Sequence, residues 1–230
     1  MHQTKRHPCT HNSNRSLWVI VLLTSLVLCS GCGQIDVPVK ESFSLTVDVN
    51  DIYKQNKLNT SAFPNGKIPK NFKKDFPFFL VKHIDLREKK EIKEHGDKIS
   101  SIVIDKVNYR IVENSMNVDF PAKGQTLRLS VGSRTTAHQH YQAVGVVPSF
   151  PKATPNFEGP LLWNPGGKTK TEAKLTKLDF SLAIIGKLSV DGSKQSTLPK
   201  GKIELELNLE ATAKLFVTVA DLPEAGKIKQ

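Results

Sequence analysis

Past residue 32 this 230-residue sequence has no cysteine; its three are Cys9, Cys29 and Cys32. Disulfides therefore contribute nothing to the fold that follows, and thiol nucleophiles are missing there too. No stretch after residue 29 is apolar enough to span a bilayer, which excludes a polytopic membrane protein. Glycine (14) and proline (13) are too few for a collagen-like or low-complexity chain. No repeat of fixed period is present. What remains is ordinary: 38% apolar and 24% charged residues, the balance of a soluble globular domain preceded by a targeting segment. The part from Cys32 onward is long enough for one core that buries about 70% of the unfolded surface.

Catalytic signatures are equally scarce. Gly166-Gly167-Lys168-Thr169 ends like a phosphate-binding loop, but Leu162 stands where its first glycine belongs. No long apolar strand precedes it, and no helical pattern follows at once. Ser149-Phe150-Pro151-Lys152 has the S-x-x-K spacing, yet Pro151 denies the helix that would set the lysine beneath the serine. There is no G-x-S-x-G and no glycine-rich dinucleotide turn. His138 and His140, two apart on an expected strand, would face the same way and could share a metal. A third ligand would have to come from elsewhere, His83 or His95 for example, and no spacing selects either, so these histidines read as solvated. Glu204, Glu206 and Glu210 share a strand face with Lys202, Asn208 and Lys214, which reads as a solvated surface. The expected catalytic, cofactor and metal residues are none.

Alternation is the dominant pattern. Ile35, Val37 and Val39, then Phe43, Leu45, Val47 and Val49, are apolar at odd positions among polar neighbours, the period of a half-buried strand. From Ile203 to Val219 every odd position is apolar. That length predicts a strongly bent strand, or two strands in one phase crossing between sheets near Ala211–Ala213. Further strands are expected over 78–84, 101–112, 126–131, 141–147 and 175–190. The second should carry a bulge between Ile104 and Val107, and the last a break near Gly186. The expected class is mainly β: an antiparallel sandwich or barrel-like sandwich of about seven or eight strands.

One short surface helix is expected over about 86–95. Asp85 and Glu88 form a capping box, Arg87/Glu91 and Lys90/Glu94 sit four apart, and Gly96 can end it. Its apolar side is thin, mainly Leu86, Ile92 and Ile99. Residues 54–77 and the proline-rich 148–172 exceed the usual connection length, so one could cover a sheet edge or carry a binding surface, against the plainer reading of ordered crossovers.

The N-terminal segment reads as an address. Residues 1–16 carry Lys5, Arg6 and Arg15 without an acid, and Leu17–Leu28 is nearly all apolar. A helix over those residues reaches about 18 Å, short of a hydrocarbon core of about 30 Å, so the pattern is that of a secretory signal. Ser30-Gly31-Cys32 follows. Here the sequence resembles bacterial lipoproteins, whose lipobox ends in small residues before the cysteine that becomes acylated. The usual leucine three before that cysteine is Cys29 here; Cys29 is the alternative acceptor, but bulky Leu28 precedes it. The resemblance covers residues 1–32 only. It implies cleavage after residue 31, lipid attachment at Cys32 and a stable membrane anchor of several acyl chains, palmitate among them. Gly33 follows, with no Asp to retain the protein at an inner membrane, which implies the outer membrane of a two-membrane cell, facing the periplasm or the surface.

The expected organisation is thus a cleaved signal (1–31), a short tether or first strand (32–42) and one β-rich domain (43–230). Lys67–Lys93 contains nine Lys/Arg and four Asp/Glu with Phe72, Phe76, Phe78 and Phe79 interleaved. Outside the cytoplasm a positive face suits anionic lipid or polysaccharide rather than nucleic acid. The plainer reading puts the phenylalanines in the core and the lysines in water. The function expected is a non-enzymatic, lipid-anchored envelope module with a binding or structural role. A carrier of a lipid or other apolar ligand is the alternative, and an envelope hydrolase comes third.

Overall fold

The computed structural model describes residues 32–93 and 95–218, so the expected signal, 1–31, lies outside the described residues. Two compact units divide the chain. Of the smaller, the described parts are Cys32–Ile35 and Phe216–Thr218, all extended, with Ile35 and Phe216 exposed. The larger, Asp36–Leu215, is the β-rich domain.

Nine strands are found among the described residues, where seven or eight were expected. They are β1 (Cys32–Asp48), β2 (Lys73–Asp85), β3 (Ile99–Asn114), β4 (Thr126–Gly132), β5 (Gln142–Pro148), β6 (Phe157–Pro160), β7 (Leu162–Trp163), β8 (Asp179–Asp191) and β9 (Lys202–Thr218). One sheet has the order β1-β9-β3-β6 and the other β2-β8-β4-β5-β7. Every pairing described is antiparallel, which makes the domain a β-sandwich. Its core follows from the alternation. On β9 the odd residues Ile203 to Leu215 are buried, and Phe43, Leu45 and Val47 are buried on β1. Between the sheets a chain of rings runs from Phe78 on β2 through Phe120, Phe150 and Phe157 to Tyr109 on β3, with successive centroids 5.8 to 6.3 Å apart. Stacked, edge and tilted contacts of this kind add to the gain from burying apolar area.

The proline-rich segment 148–172 covers an edge of each sheet. β6 pairs with β3 from Asn108 to Ile111, and β7 pairs with β5 at Gly145 and Val146. Beyond β6 the edge of β3 is closed by side chains of a helix over Gly167–Leu175. Its Thr176 Oγ1 and Glu172 Oε1 accept from the amides of Ile102 (3.3 Å) and Ile104 (3.0 Å). Residues four apart on a helix are about 6 Å apart, close to the two-residue repeat of a strand. The fit lets one helical face satisfy alternate amides of a strand.

Several expectations change at their boundaries. The helix expected over 86–95 is a 3-10 turn (Leu86–Glu88), a single α-turn, α2 (Lys90–Lys93), and another 3-10 turn (Gly96–Lys98). Asp85 does cap it, accepting from the Arg87 amide at 3.1 Å, but Lys89 is extended (φ −72, ψ 133) and interrupts the spiral. Leu86 and Ile92 are buried as separate anchors, too few to hold a continuous helix. Two helices were not expected: α1 (Val49–Gln55), capped by Asp48, and α3 (Gly167–Leu175). The strand expected from residue 175 starts only at Asp179, because Leu175 ends α3, and β8 then runs unbroken through Gly186. A Cβ on Gly186 would crowd the Phe78 ring at 2.7 Å, so this glycine makes room for an aromatic rather than ending a strand. β9 does not cross between sheets. It stays a single strand of 17 residues, and its partner β3 takes up the irregularity with three register shifts, one at the expected place between Ile104 and Lys106.

Replacing Glu172 by Ala leaves the Ile104 amide without its acceptor, at an expected cost of about 1–3 kcal/mol. Glu172→Gln keeps an oxygen within the same reach and should cost about 1 kcal/mol or less. Thermal melts of the two variants check this; equal losses would mean that the carboxylate does not act as an edge cap.

Candidate functional site

The motifs singled out in the sequence are absorbed by structure. His138 and His140 lie in a 3-10 turn rather than on a strand, so the same-face geometry expected of them does not arise. His83 Nδ1 shares a 2.6 Å hydrogen bond with Ser181 Oγ across β2 and β8, and His95 precedes the Gly96–Lys98 turn. Among the described residues no three His, Cys, Asp or Glu side chains converge as a metal site would require. Ser149 Oγ donates to the Pro121 carbonyl at 2.7 Å, while the Lys152 amide donates to Asp119. Contrary to expectation, a helix does follow Gly166-Gly167. The glycines serve its packing: Gly166 has φ +69, and a Cβ on Gly167 would collide with the Val144 carbonyl. Glu206 accepts from Asn208 at 2.8 Å on the outer face of β9. Cys32 begins β1.

The basic stretch 67–93 does not form one face. β2 is 13 residues long, about 40 Å at about 3.3 Å per residue, and carries its two ends to opposite ends of the sandwich. Phe76 and Phe78 are buried, Phe72 packs edge-on against Phe63 (5.2 Å) and Phe79 against Tyr141 (5.2 Å). None of the four is an open stacking platform. Midway, Lys82 Nζ donates to the Ser44 carbonyl at 2.9 Å.

At one end two arginines meet two aspartates. Arg87 lies 3.1 Å from Asp179 and also pairs with Asp85; Arg134 lies 2.9 Å from Asp179 and 3.6 Å from Asp85. The Arg87 hydrogen bonds to Asp85, with help from the Arg134 charge, hold that carboxyl down to about 2. Nearby, Lys89 pairs with buried Glu41 at 2.9 Å.

At the other end cations outnumber their partners. A groove of about 560 Å³ lies where the start of β2, the end of β8 and the turn before β4 meet, walled by Lys73, Lys74, Lys123 and Lys194. A second hollow of about 470 Å³ shares Lys194 and Gln195 with it and adds Lys67 and Lys70. Six lysines thus face two aspartates, Asp75 and Asp191, and both acids are already engaged. Lys187 and Ser189 each bond Asp75 at 2.6 Å, and these bonds hold its carboxyl below the usual range. Ser193 does the same for Asp191, which also has Lys73 at 3.8 Å and Lys194 at 3.9 Å.

The frame under these lysines is main chain. Ile68 N donates to Ser196 O (3.1 Å), Leu198 N to Gly66 O (2.8 Å) and Gly192 N to Phe72 O (2.8 Å), stitching loop 66–72 to loop 191–198. Gly192 permits the closest approach, since a Cβ there would strike the Pro69 carbonyl. Lys123 and Lys194 come from turns far from 67–93 in sequence, and no spacing rule links them to it. The pairing Lys73↔Asp191 brings Lys194 beside that stretch, and Gln125 Nε2, donating to Ser189 Oγ at 3.1 Å, brings the turn of Lys123.

No protein-family model and no curated protein sequence matches this chain. Among solved structures, one titled "Desmodium yellow mottle tymovirus" aligns over 96% of this chain and 100% of its own, at 10% identity and a TM-score of 0.29. A likeness that weak carries no conclusion about fold or function.

Two outcomes are expected. Asp85 has a folded pKa below its ordinary value of about 3.9, so its stabilisation is complete above about pH 4 and is lost as pH falls toward 2. Melting midpoints recorded from pH 5 to pH 2 should therefore fall more steeply for wild type than for Asp85→Asn; parallel curves would contradict the assignment. Gly192→Ala should force the two loops apart and destabilise by about 1–3 kcal/mol, with faster amide exchange at Ile68 and Leu198 than elsewhere.

Proposed function

We propose that this chain is an exported lipoprotein of the cell envelope, acylated on Cys32, whose β-sandwich has a non-enzymatic binding or structural role. The carrying observation is the N-terminal order of basic segment, apolar run Leu17–Leu28 and Ser30-Gly31-Cys32, with no later cysteine to compete for lipid. β1 begins at Cys32 itself, so the lipid is followed by strand rather than by a long stalk. Gly33 in place of an acidic residue supports the outer membrane as the destination. A non-enzymatic role is supported by what the flagged residues do: Ser149, Gly166 and Gly167 serve turns and packing. The ring chain from Phe78 to Tyr109 fills inter-sheet space that a carrier would leave to its ligand, which favours a surface-binding module.

Metabolic labelling with palmitate tests the anchor. Wild type and Cys29→Ala should incorporate label and lose residues 1–31, whereas Cys32→Ala should incorporate none and keep its leader. Equal labelling of wild type and Cys32→Ala would remove Cys32 as the acceptor.

A further inference from the structure

The lysine groove has a position as well as a charge. The chain enters the larger unit at Asp36, and β1 then runs to Asp48, about 40 Å further on at about 3.3 Å per residue. There Val49 N bonds Gly201 O (3.1 Å), and the loop that leads into Gly201 is tied through Ser196 and Leu198 to residues 66–68 beside the groove. The groove therefore lies at the end of the sandwich remote from Asp36. A lipid on Cys32 would be four residues earlier and at most about 14 Å of chain from Asp36, too short a reach to bring the attachment point to the groove. Among the described residues the exposed large apolar ones are Ile35, Val103, Leu162 and Phe216, and none is in the groove loops. The groove is concave, and it interleaves ammonium groups with the exposed hydroxyls of Ser196 and Thr197. Its loops are pinned by main-chain bonds, so little order has to be acquired on binding.

We propose that this groove binds a linear anionic polysaccharide, its lysines pairing with carboxylate or phosphate groups of the polymer and its hydroxyl and amide side chains meeting the sugar hydroxyls. The chemistry matches on both counts. The excess of lysines over acids attracts a polyanion from a distance, and two hollows joined at Lys194 and Gln195 offer cations from Lys123 to Lys67 to several residues of a chain rather than to one small ion. The choice of polysaccharide over lipid headgroups rests on the anchor reading above; the cationic groove itself does not.

The test uses the full-length protein extracted in detergent, titrated with polygalacturonate, with neutral dextran, and with phosphatidylcholine vesicles containing or lacking phosphatidylglycerol. Polygalacturonate is expected to bind, more weakly as salt rises, and dextran is not. Lys123→Gln/Lys194→Gln should weaken that binding roughly tenfold. Lys168→Gln/Lys170→Gln, which removes the same charge from α3, should leave it within about twofold. Melting curves of both variants confirm that each is folded. The proposal is overturned if polygalacturonate does not bind, if both double variants lose equally, or if the groove lysines matter only for phosphatidylglycerol vesicles. Intact mass of the same sample reports acylation separately. An unacylated chain that binds polygalacturonate keeps the groove and removes the anchor; an acylated chain that does not bind does the reverse.

Discussion

A buried sheet edge must have its amides and carbonyls satisfied, and in this sandwich that requirement falls on the outer side of β3. The strand is 16 residues long, whereas its neighbour β6 has four. The remainder is met piecemeal by one stretch of chain. Thr176 and Glu172 take the amides of Ile102 and Ile104, Leu161 N donates to Val107 O, β6 pairs with 108–111, and Asn156 N donates to Ile111 O. Asn114 ends the series by donating to Pro151 O at 2.9 Å while accepting from Met116 N at 3.0 Å. The same stretch lends β7 to the opposite sheet and Phe150 and Phe157 to the ring chain. One irregular, proline-rich segment thereby fixes the sheets to each other as well as closing them.

Much of this architecture was legible in the sequence because it depends on a period of two. The odd residues of β9 and β1 are buried as the alternation requires, and the phase change in β3 marks a real register shift. What was not legible depends on partners. β6 and β7 are four and two residues long, too short to show a period, and β6 ends in proline. α3 has no apolar stripe: Gly167 and Leu175 are its buried residues, and its place is set by Glu172 reaching a strand amide. The expected helix after Asp85 had the cap but only Leu86 and Ile92 as anchors, and it broke between them.

The candidate site shows the same division. The excess of lysine over 67–93 was visible, and so was the inward role of Phe76 and Phe78. Its separation into two ends was not, because that follows from β2 being one extended strand. At the Arg87–Arg134 end both arginines meet Asp85 and Asp179, and these charges hold the turn against β8. At the other end Lys123 and Lys194 arrive from distant turns, and the acids present are taken up by Lys187, Ser189 and Ser193. Surface ion pairs of this kind are individually worth little. At the second end the lysines still outnumber the acids they face.

The stitching of loop 66–72 to loop 191–198 has one further consequence. Because the seams run through amides and carbonyls, with Gly192 as the one position that tolerates no added carbon, the outward side chains carry almost none of the mechanical burden. Such a scaffold resembles a printed page whose binding is independent of its text: the exposed residues can be rewritten freely while the backbone outline beneath them keeps its shape.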